Sequence, residues 1–350
     1  MQTSAFDFEL PADLIAQHPV EPRDASRLLV VRRGSGALEH RTFRDLPDLL
    51  EPGDVLVRNN TRVVPARLVG RRESTGGAWE GLFLRVSPDD PDAWEVLGKT
   101  RGRPVPGESI VVGSGLRLTL IRKDDAGRWT VRPEGVADQG TTALLDRHGL
   151  VPLPPYIRKG AEGPGDRSRY QTVFAEVAGS VAAPTAGLHF TPEVFDRLAA
   201  RGVGRADVTR HVGRGTFRPI EAERIEDHVL HAEHARVDPA TAARLADARD
   251  AGGRVVAVGT TSARTLEASA ASSPDGRIAP FDAETRLYLR PGHRFLAVDV
   301  LLTNFHLPRS SLLVLVAALA GQDLALAAYA EAIRERYRFY SYGDAMLILP

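Results

Sequence analysis

Six short runs with strand character, set between Thr61 and Leu150, constrain the fold of this chain more than any other feature. They read VVPARLVGRRE, AWEGLFLRV, AWEVLGKT, ESIVVG, LRLTLIRKD and GRWTVRPEG, and many are separated by Gly, Pro or Asp. Short strands at this spacing, punctuated by turn residues, close into a barrel or pack as a sandwich. No helical period interrupts them until TTALLDRHG at the end of the region. The reading is an all-β barrel domain inserted at residues 59–150.

The flanks have a different texture. FDFELPADLIA puts Pro11 at a helix N1-like position ahead of Leu14 and Ile15. RLLVVRR reads as a strand, Phe43 to Leu50 as a short helix, and Pro52-Gly53 as a turn into the strand DVLVRNN. Beyond PLPP at 152–155, helices are expected at TPEVFDRLAARG, PATAARLADARDAGG and LALAAYAEAIRERY, the first with Thr191 capping and Pro192 at N1. Strands are expected at ADVTRHV, RVVAVGTT, TRLYLR and AVDVLLTNF, and EGPGD (Glu162 to Asp166) reads as an exposed flexible loop. Strands alternating with helices imply a substantial parallel component. The fold class is therefore α/β: a mixed α/β (barrel-like) catalytic domain, discontinuous over 1–58 and 151–350, interrupted by the β-barrel.

At 350 residues the chain has room for two domains, or one large one, and its 43% hydrophobic and 26% charged content is that of a globular protein. It has no cysteine, which excludes disulfide frameworks and thiolate metal sites. MQTSAFDFELPADL has neither the basic start nor the apolar run of a leader, and Leu312 to Ala320 is too short to cross a bilayer. A cytoplasmic protein without a membrane partner is expected. Basic and acidic residues balance at 45 each, so bulk charge gives RNA binding no support. Only Lys99, Lys123 and Lys159 are lysines. An arginine bias this general tracks genome base composition, so each arginine must be judged by its neighbours.

Several segments carry chemistry or imitate it. GSVAAPTAGLHFT, Gly179 to Thr191, combines small residues with a His-Phe pair ahead of a helix. It is either a ligand loop or a tight crossover in which His189 satisfies a loop carbonyl. RVVAVGTTSARTLE ends a β-branched strand in Gly259-Thr260-Thr261-Ser262, and the next helix carries Arg264. Strand ends, hydroxyls and helix amides suit a carboxylate or ribose, while Thr/Ser capping is the structural alternative. The segment is not GxGxxG, so it favours neither a dinucleotide site nor an ordinary methyltransferase. HVGRGTF sets Arg214 between glycines, and LLTNFHLPRSSLL places Asn304, His306 and Arg309 where a strand passes into a helix. Capping and turn chemistry use the same residues. His228, His231 and His234 form HxxHxxH, but neither a helix nor a strand makes that spacing converge, so no metal site is assigned. YRFYSYGDAMLIL, with Arg336 just before it, combines a returning core strand with Arg336, Arg338 and Tyr340 at a rim suited to stacking unpaired bases.

Taken together, these segments resemble the S-adenosylmethionine:tRNA ribosyltransferase-isomerases of queuosine biosynthesis. The resemblance also runs through FDFELPADLIAQHP, PRDASRLLV, PGDVLVRNNTRVVPARL, LPPYIR and DRSRYQTVFA. The insert matches only loosely beyond Gly76-Gly77 and Glu80. Three positions depart from the usual pattern: Asn60 stands where Asp is common, Arg210 where an apolar residue is usual, and His234 where an aromatic is usual.

The resemblance implies a reaction in which the ribosyl part of S-adenosylmethionine is transferred and isomerised. The acceptor is 7-aminomethyl-7-deazaguanine at the wobble position of tRNA; epoxyqueuosine forms, and adenine and methionine are released. S-adenosylmethionine is then a consumed co-substrate, and neither a cofactor nor a metal is called for. A base must remove the proton that the sulfonium acidifies, and adenine leaves better when protonated. His189, His211 and Asp344 are the catalytic candidates, with base and acid unassigned. Gly259, Thr260, Thr261, Arg264, Asn304 and His306 are the candidates for holding S-adenosylmethionine. Asp24, Arg27, Arg158, Arg169, Arg214, Arg336, Arg338 and Tyr340 are those for tRNA, although an Asp24–Arg27 ion pair is an alternative. A monomer is expected. An S-adenosylmethionine-dependent RNA methyltransferase and a non-catalytic tRNA-binding protein are the competing readings.

Overall fold

The computed structural model describes residues 1–135, 139–213 and 219–350. Its packing divides into two compact units, Met1–Arg62 with Gln171–Pro350, and Val63–Tyr170. The chain starts with 3-10 turns at Thr3–Phe6, Ala12–Leu14 and Arg23–Ala25. No helix follows Pro11. Only Leu14 of that turn is buried, and Ile15 leaves it to bridge Phe339, so there is no apolar stripe for a helix to bury. Strands β1 (Arg27–Arg32) and β2 (Leu38–Thr42) form a hairpin, and α1 (Leu46–Leu49) leads to β3 (Val55–Asn59) and β4 (Thr61–Val63).

The inserted unit carries β5 (Arg67–Arg72), β6 (Ala78–Ser87), β7 (Asp90–Thr100), β8 (Ser109–Val112), β9 (Leu116–Lys123) and β10 (Arg128–Pro133). These six strands close into a barrel in the order β10-β7-β6-β5-β8-β9, one strand for each run in the sequence. Along β9 the buried positions alternate as Leu116, Leu118 and Leu120, the period that turns one face of a strand inward. Trp79, Trp94 and Trp129 fill the interior. Helices α2 (Thr141–His148) and α3 (Asp166–Arg169) belong to this unit.

Residues 151–170, grouped by their texture with the α/β part, pack with the barrel. Arg67 and Leu150 exchange both backbone hydrogen bonds, and Val151 N–H donates to Glu162 at 2.7 Å. Asp166, expected in an exposed loop, is buried and starts α3, with its carboxylate accepting from Gly163 N–H at 2.6 Å and from Arg158. A Pro-rich segment without periodicity carries no sequence signal of which unit it will join.

The chain returns through β11 (Val177–Ser180), α4 (Pro192–Ala200), β12 (Gly204–Arg210), β13 (Glu233–Val237) and α5 (Pro239–Asp250). It continues through β14 (Val255–Val258), α6 (Gly259–Ser272), β15 (Phe281–Thr285) and β16 (Val300–Asn304). It ends with α7 (Ser311–Ala320), α8 (Gln322–Arg334) and β17 (Ala345–Leu349). Nine strands form one sheet in the order β15-β13-β12-β3-β14-β16-β17-β1-β2. The strand expected at TRLYLR lies earlier: β15 is FDAET, held to β13 through Val237↔Phe281, and ends at Thr285. An alternating apolar run shows that alternate residues are buried, not which edge pairs with it.

Strands β12, β3, β14 and β16 are mutually parallel. Of the three innermost, β14 is apolar throughout and β3 and β16 are apolar over their first three residues, as strands covered on both faces tend to be. Leu56, Val256, Val258, Val300, Leu302 and Leu347 pack against Phe190 and against Val194, Phe195 and Leu198 of α4. Burying each such side chain contributes about 1.5–3 kcal/mol before chain entropy is counted. Helix α6 lies across β3, β14 and β16. β17 runs antiparallel to β16 and parallel to β1, with Asn304↔Ala345 and Leu28↔Ala345 in register. The carboxyl ends of the parallel strands therefore share one edge with the amino ends of β1 and β17. Among the described residues no single helix is long and apolar enough to cross a membrane.

Candidate active site

Open α/β sheets bind ligands beyond the carboxyl ends of their strands. At that edge here, His189 is buried between β1 and β16. Its Nδ1 lies 2.7 Å from Ser26 Oγ, and its Nε2 lies 3.1 Å from Asn304 Nδ2. Thr185 Oγ1 donates to Asn304 Oδ1 at 2.8 Å, which turns the Asn304 amide N–H toward the imidazole. Nε2 therefore accepts, and the proton sits on Nδ1. Phe43 stacks on the ring at 5.1 Å. Burial, with Arg338 and Arg23 nearby, pushes the imidazole down to about 3, so it is neutral at working pH. Both ring nitrogens are engaged and no lone pair is left for substrate. Arg23, whose Nη1 donates to Gln171 O at 2.7 Å, is a residue the sequence reading passed over.

His211 is arranged differently. It follows β12, and its Nδ1 lies 2.8 Å from Thr61 Oγ1. That hydroxyl has its own acceptor in Val177 O at 3.4 Å, so it receives Nδ1–H. Nε2 has no partner among the described residues and keeps its lone pair. Gly179, at φ 147°, lies under the ring: a Cβ there would come within 2.9 Å of Cε1. Burial, with a contribution from His234, lowers this histidine below its usual range. Asn59 ties the neighbouring backbone down, accepting Arg210 N–H at 3.0 Å and donating to Arg210 O at 2.9 Å. It also reaches Thr261 Oγ1 at 3.4 Å.

Gly259 opens α6 directly after β14. Its φ of 85° is a left-handed conformation that suits glycine and lets strand pass into helix without a spacer. Thr260 and Thr261 are buried in the first turn, and Arg264 follows at 4% exposure. Arg264 Nε donates to Leu287 O at 3.3 Å, and its nearest carboxylate oxygen is Glu233 Oε2 at 3.9 Å. That same oxygen accepts from Arg210 Nε at 2.9 Å and Nη2 at 2.6 Å. Two buried guanidiniums thus share one carboxylate. Burial and the charge of Arg210 push Arg264 down to about 9, against the pull of Glu233. Arg264 and Glu233 line a cavity of about 330 Å³, together with Leu230, His228, His231 and Asp227. The three histidines of HxxHxxH do not converge: His228 meets Tyr288 edge-on at 5.8 Å, and His234 pairs with Asp282 at 2.7 Å.

Asp344 is saturated by donors. It accepts Arg27 N–H at 3.0 Å, Arg338 N–H at 2.8 Å and Arg338 Nη2 at 3.4 Å, so it braces the corner between β1 and β17. Arg27 lies 3.7 Å over the Tyr337 ring and donates to Glu335 O at 2.6 Å. Asp24 pairs with Arg44 at 3.7 Å, not with Arg27. His306 Nε2 meets Thr303 Oγ1 at 2.8 Å, and burial pushes it down to about 3. Arg336 is exposed and paired with Asp13, while Arg338 reaches His18 O at 3.2 Å. Tyr340 is buried, with φ 73°. Arg158 and the half-buried Arg169 belong to the barrel unit. Arg214 lies outside the described residues.

The geometry defines an α/β protein with a polar, arginine-lined edge on its main sheet and an inserted barrel. Residues 3–348 match the family described as queuosine biosynthesis protein, and the chain belongs to that family. It is 56% identical over 352 residues to an S-adenosylmethionine:tRNA ribosyltransferase-isomerase of Symbiobacterium thermophilum, all of both chains being covered. It is 50% identical over 348 residues to the protein of that name from Geobacter sulfurreducens, covering 99% of this chain and all of the other. A crystal structure of S-adenosylmethionine tRNA ribosyltransferase from Thermotoga maritima is similar over 99% of this chain and all of that one, at 36% identity and a TM-score of 0.56.

Proposed function

We propose that this chain transfers and isomerises the ribosyl part of S-adenosylmethionine onto 7-aminomethyl-7-deazaguanine at the tRNA wobble position. The products are epoxyqueuosine-tRNA, adenine and methionine. One observation carries the reading. Family-like segments far apart in the chain, those holding Ser26, Asn59 and Thr61, His189, His211, Gly259 to Arg264, Asn304 and Asp344, meet at one edge of one sheet.

In this reading His211 is the base. Its Nε2 lone pair has no partner among the described residues, and Thr61 fixes its tautomer by accepting Nδ1–H. Nε2 takes the proton from the ribose carbon beside the sulfonium, and the imidazolium formed is the group from which departing adenine gains a proton. His189 is a positioning residue, holding Ser26 and Asn304 in place as a neutral imidazole. Thr260, Thr261, Asn304 and His306 frame the S-adenosylmethionine site, with Gly259 allowing the close turn into α6. Asp344 acts through the corner it braces, keeping Arg27 and Arg338 on the rim.

The acceptor base is splayed from the anticodon loop. Arg158, Arg169, Arg214, Arg336, Arg338 and Tyr340 are assigned to the RNA path, with Asp24 and Arg27 nearest the modified base. S-adenosylmethionine is consumed, and the reading includes no resident cofactor or metal. The enzyme works as a cytoplasmic monomer. Incubation with S-adenosylmethionine and precursor tRNA tests this: adenine and methionine are the expected small products. S-adenosylhomocysteine would indicate a methyltransferase, and binding without turnover a carrier of tRNA.

A further inference from the structure

Near α6 lie several buried donors, one of which, Arg264, lines a cavity. Arg264 Nη2 and Arg210 Nη1 are both buried without a hydrogen-bond partner among the described residues, and so is Tyr288 Oη. Leaving a buried cation partly unpaired costs several kcal/mol, and native proteins rarely accept that without a use for it. Arg264 lines the cavity. Tyr288 stands edge-on to His228, which lines it too, and its neighbour Leu287 holds Arg264 Nε. The acids Glu221 and Asp227 also line the cavity and are exposed.

We propose that this cavity is an α-amino-acid subsite in which the Arg264 guanidinium takes the carboxylate, while Glu221 and Asp227 face the ammonium. Resting on the function proposed above, the amino acid is the methionine end of S-adenosylmethionine. Arg210 is a positioning residue here. By drawing Glu233 Oε2 into two short hydrogen bonds, it keeps that carboxylate from closing on Arg264, which stays available to an incoming anion. A guanidinium suits the task because it presents paired donors to a carboxylate and keeps its charge. Burial and Arg210 lower Arg264 only to about 9, so it remains cationic at neutral pH. Removing Arg210 would let Glu233 swing onto Arg264 and compete with the ligand.

The test is calorimetric binding of two probes to the full chain, S-adenosylmethionine and its decarboxylated form. The unmodified protein should bind the decarboxylated form about 10- to 100-fold more weakly, the worth of a charge-assisted hydrogen bond in a buried site. Arg264→Gln should weaken S-adenosylmethionine by a similar factor and leave the decarboxylated probe unchanged, so that the two losses do not multiply. Arg210→Leu should show the same selectivity with a smaller factor. Equal binding of the two probes by the unmodified protein would overturn the subsite while leaving the reaction intact, and that comparison needs no variant to fold. Equal weakening of both probes by Arg264→Gln would likewise reduce Arg264 to a structural role. Failure of S-adenosylmethionine itself to bind would bring down the proposed reaction together with the subsite.

Discussion

Replacing His189 by Gln removes an imidazole that folding forces to be neutral, and it should alter how stability responds to acid. In the unfolded chain this histidine titrates near 6.5, whereas in the folded protein burial holds it at about 3. Between those values the unfolded state binds one more proton than the folded state. The stability that His189 contributes is therefore complete above about pH 7 and is lost as pH falls toward the folded value. From about pH 7.5 to about pH 4.5 the loss due to this one group is about 3 kcal/mol. His306, held at about 3 as well, adds a similar term, but it is present in both proteins and cancels in the comparison. His189→Gln also has a pH-independent cost, because Ser26 loses its ring partner; at about 1–3 kcal/mol this shifts both measurements alike. Urea unfolding of both proteins at the two pH values gives four stabilities. The advantage of the native protein over the variant should shrink by about 3 kcal/mol on acidification. An unchanged or growing advantage would mean that His189 is protonated in the folded state, and its assignment as a neutral brace would be wrong.

Three further outcomes are expected. His211→Ala should lower turnover by about 10²- to 10⁴-fold with stability little changed, and rates of the native enzyme should fall only as pH drops through a value below 6.5, because the base must be unprotonated; a variant with near-native turnover would remove His211 from the chemistry. Affinity for tRNA should decline with added salt by a modest slope, and Arg336→Ala should reduce that slope by about one without affecting the fold, since Arg336 pairs with the exposed Asp13; a slope indifferent to the change would take Arg336 off the RNA path. Gly259→Ala should destabilise the chain by about 1–2 kcal/mol, because the residue sits at φ 85°; unfolding at the native denaturant midpoint would contradict this.

The parts of the fold that were legible in the sequence follow local rules. Six runs bounded by turn residues became six barrel strands because alternation and punctuation are properties of neighbouring residues. The passage from β14 to α6 could be read from a β-branched run ending in Gly and hydroxyls. What stayed hidden was long-range. Ser26 and His189 are 163 positions apart, and His189 and Asn304 are 115 apart, so no local pattern announces that both imidazole nitrogens are occupied. Asp344 lies among aromatics and arginines and reads as a candidate acid. Only its backbone donors, Arg27 N–H and Arg338 N–H, identify it as a brace. Glu233 lay inside the three-histidine motif and drew no notice, yet it is the carboxylate that two arginines share. The histidine pair was visible as residue types, and the difference between them lies in hydrogen bonds made from elsewhere in the chain.

The central claim, that ribose and not methyl is moved, is tested most directly by isotope. The protein is given precursor tRNA and S-adenosylmethionine labelled in the ribose carbons, and in parallel S-adenosylmethionine labelled in the methyl group. The account predicts ribose label in the tRNA base and methyl label recovered in free methionine. Methyl label in the tRNA, or ribose label that stays with adenine as an intact nucleoside, would contradict it.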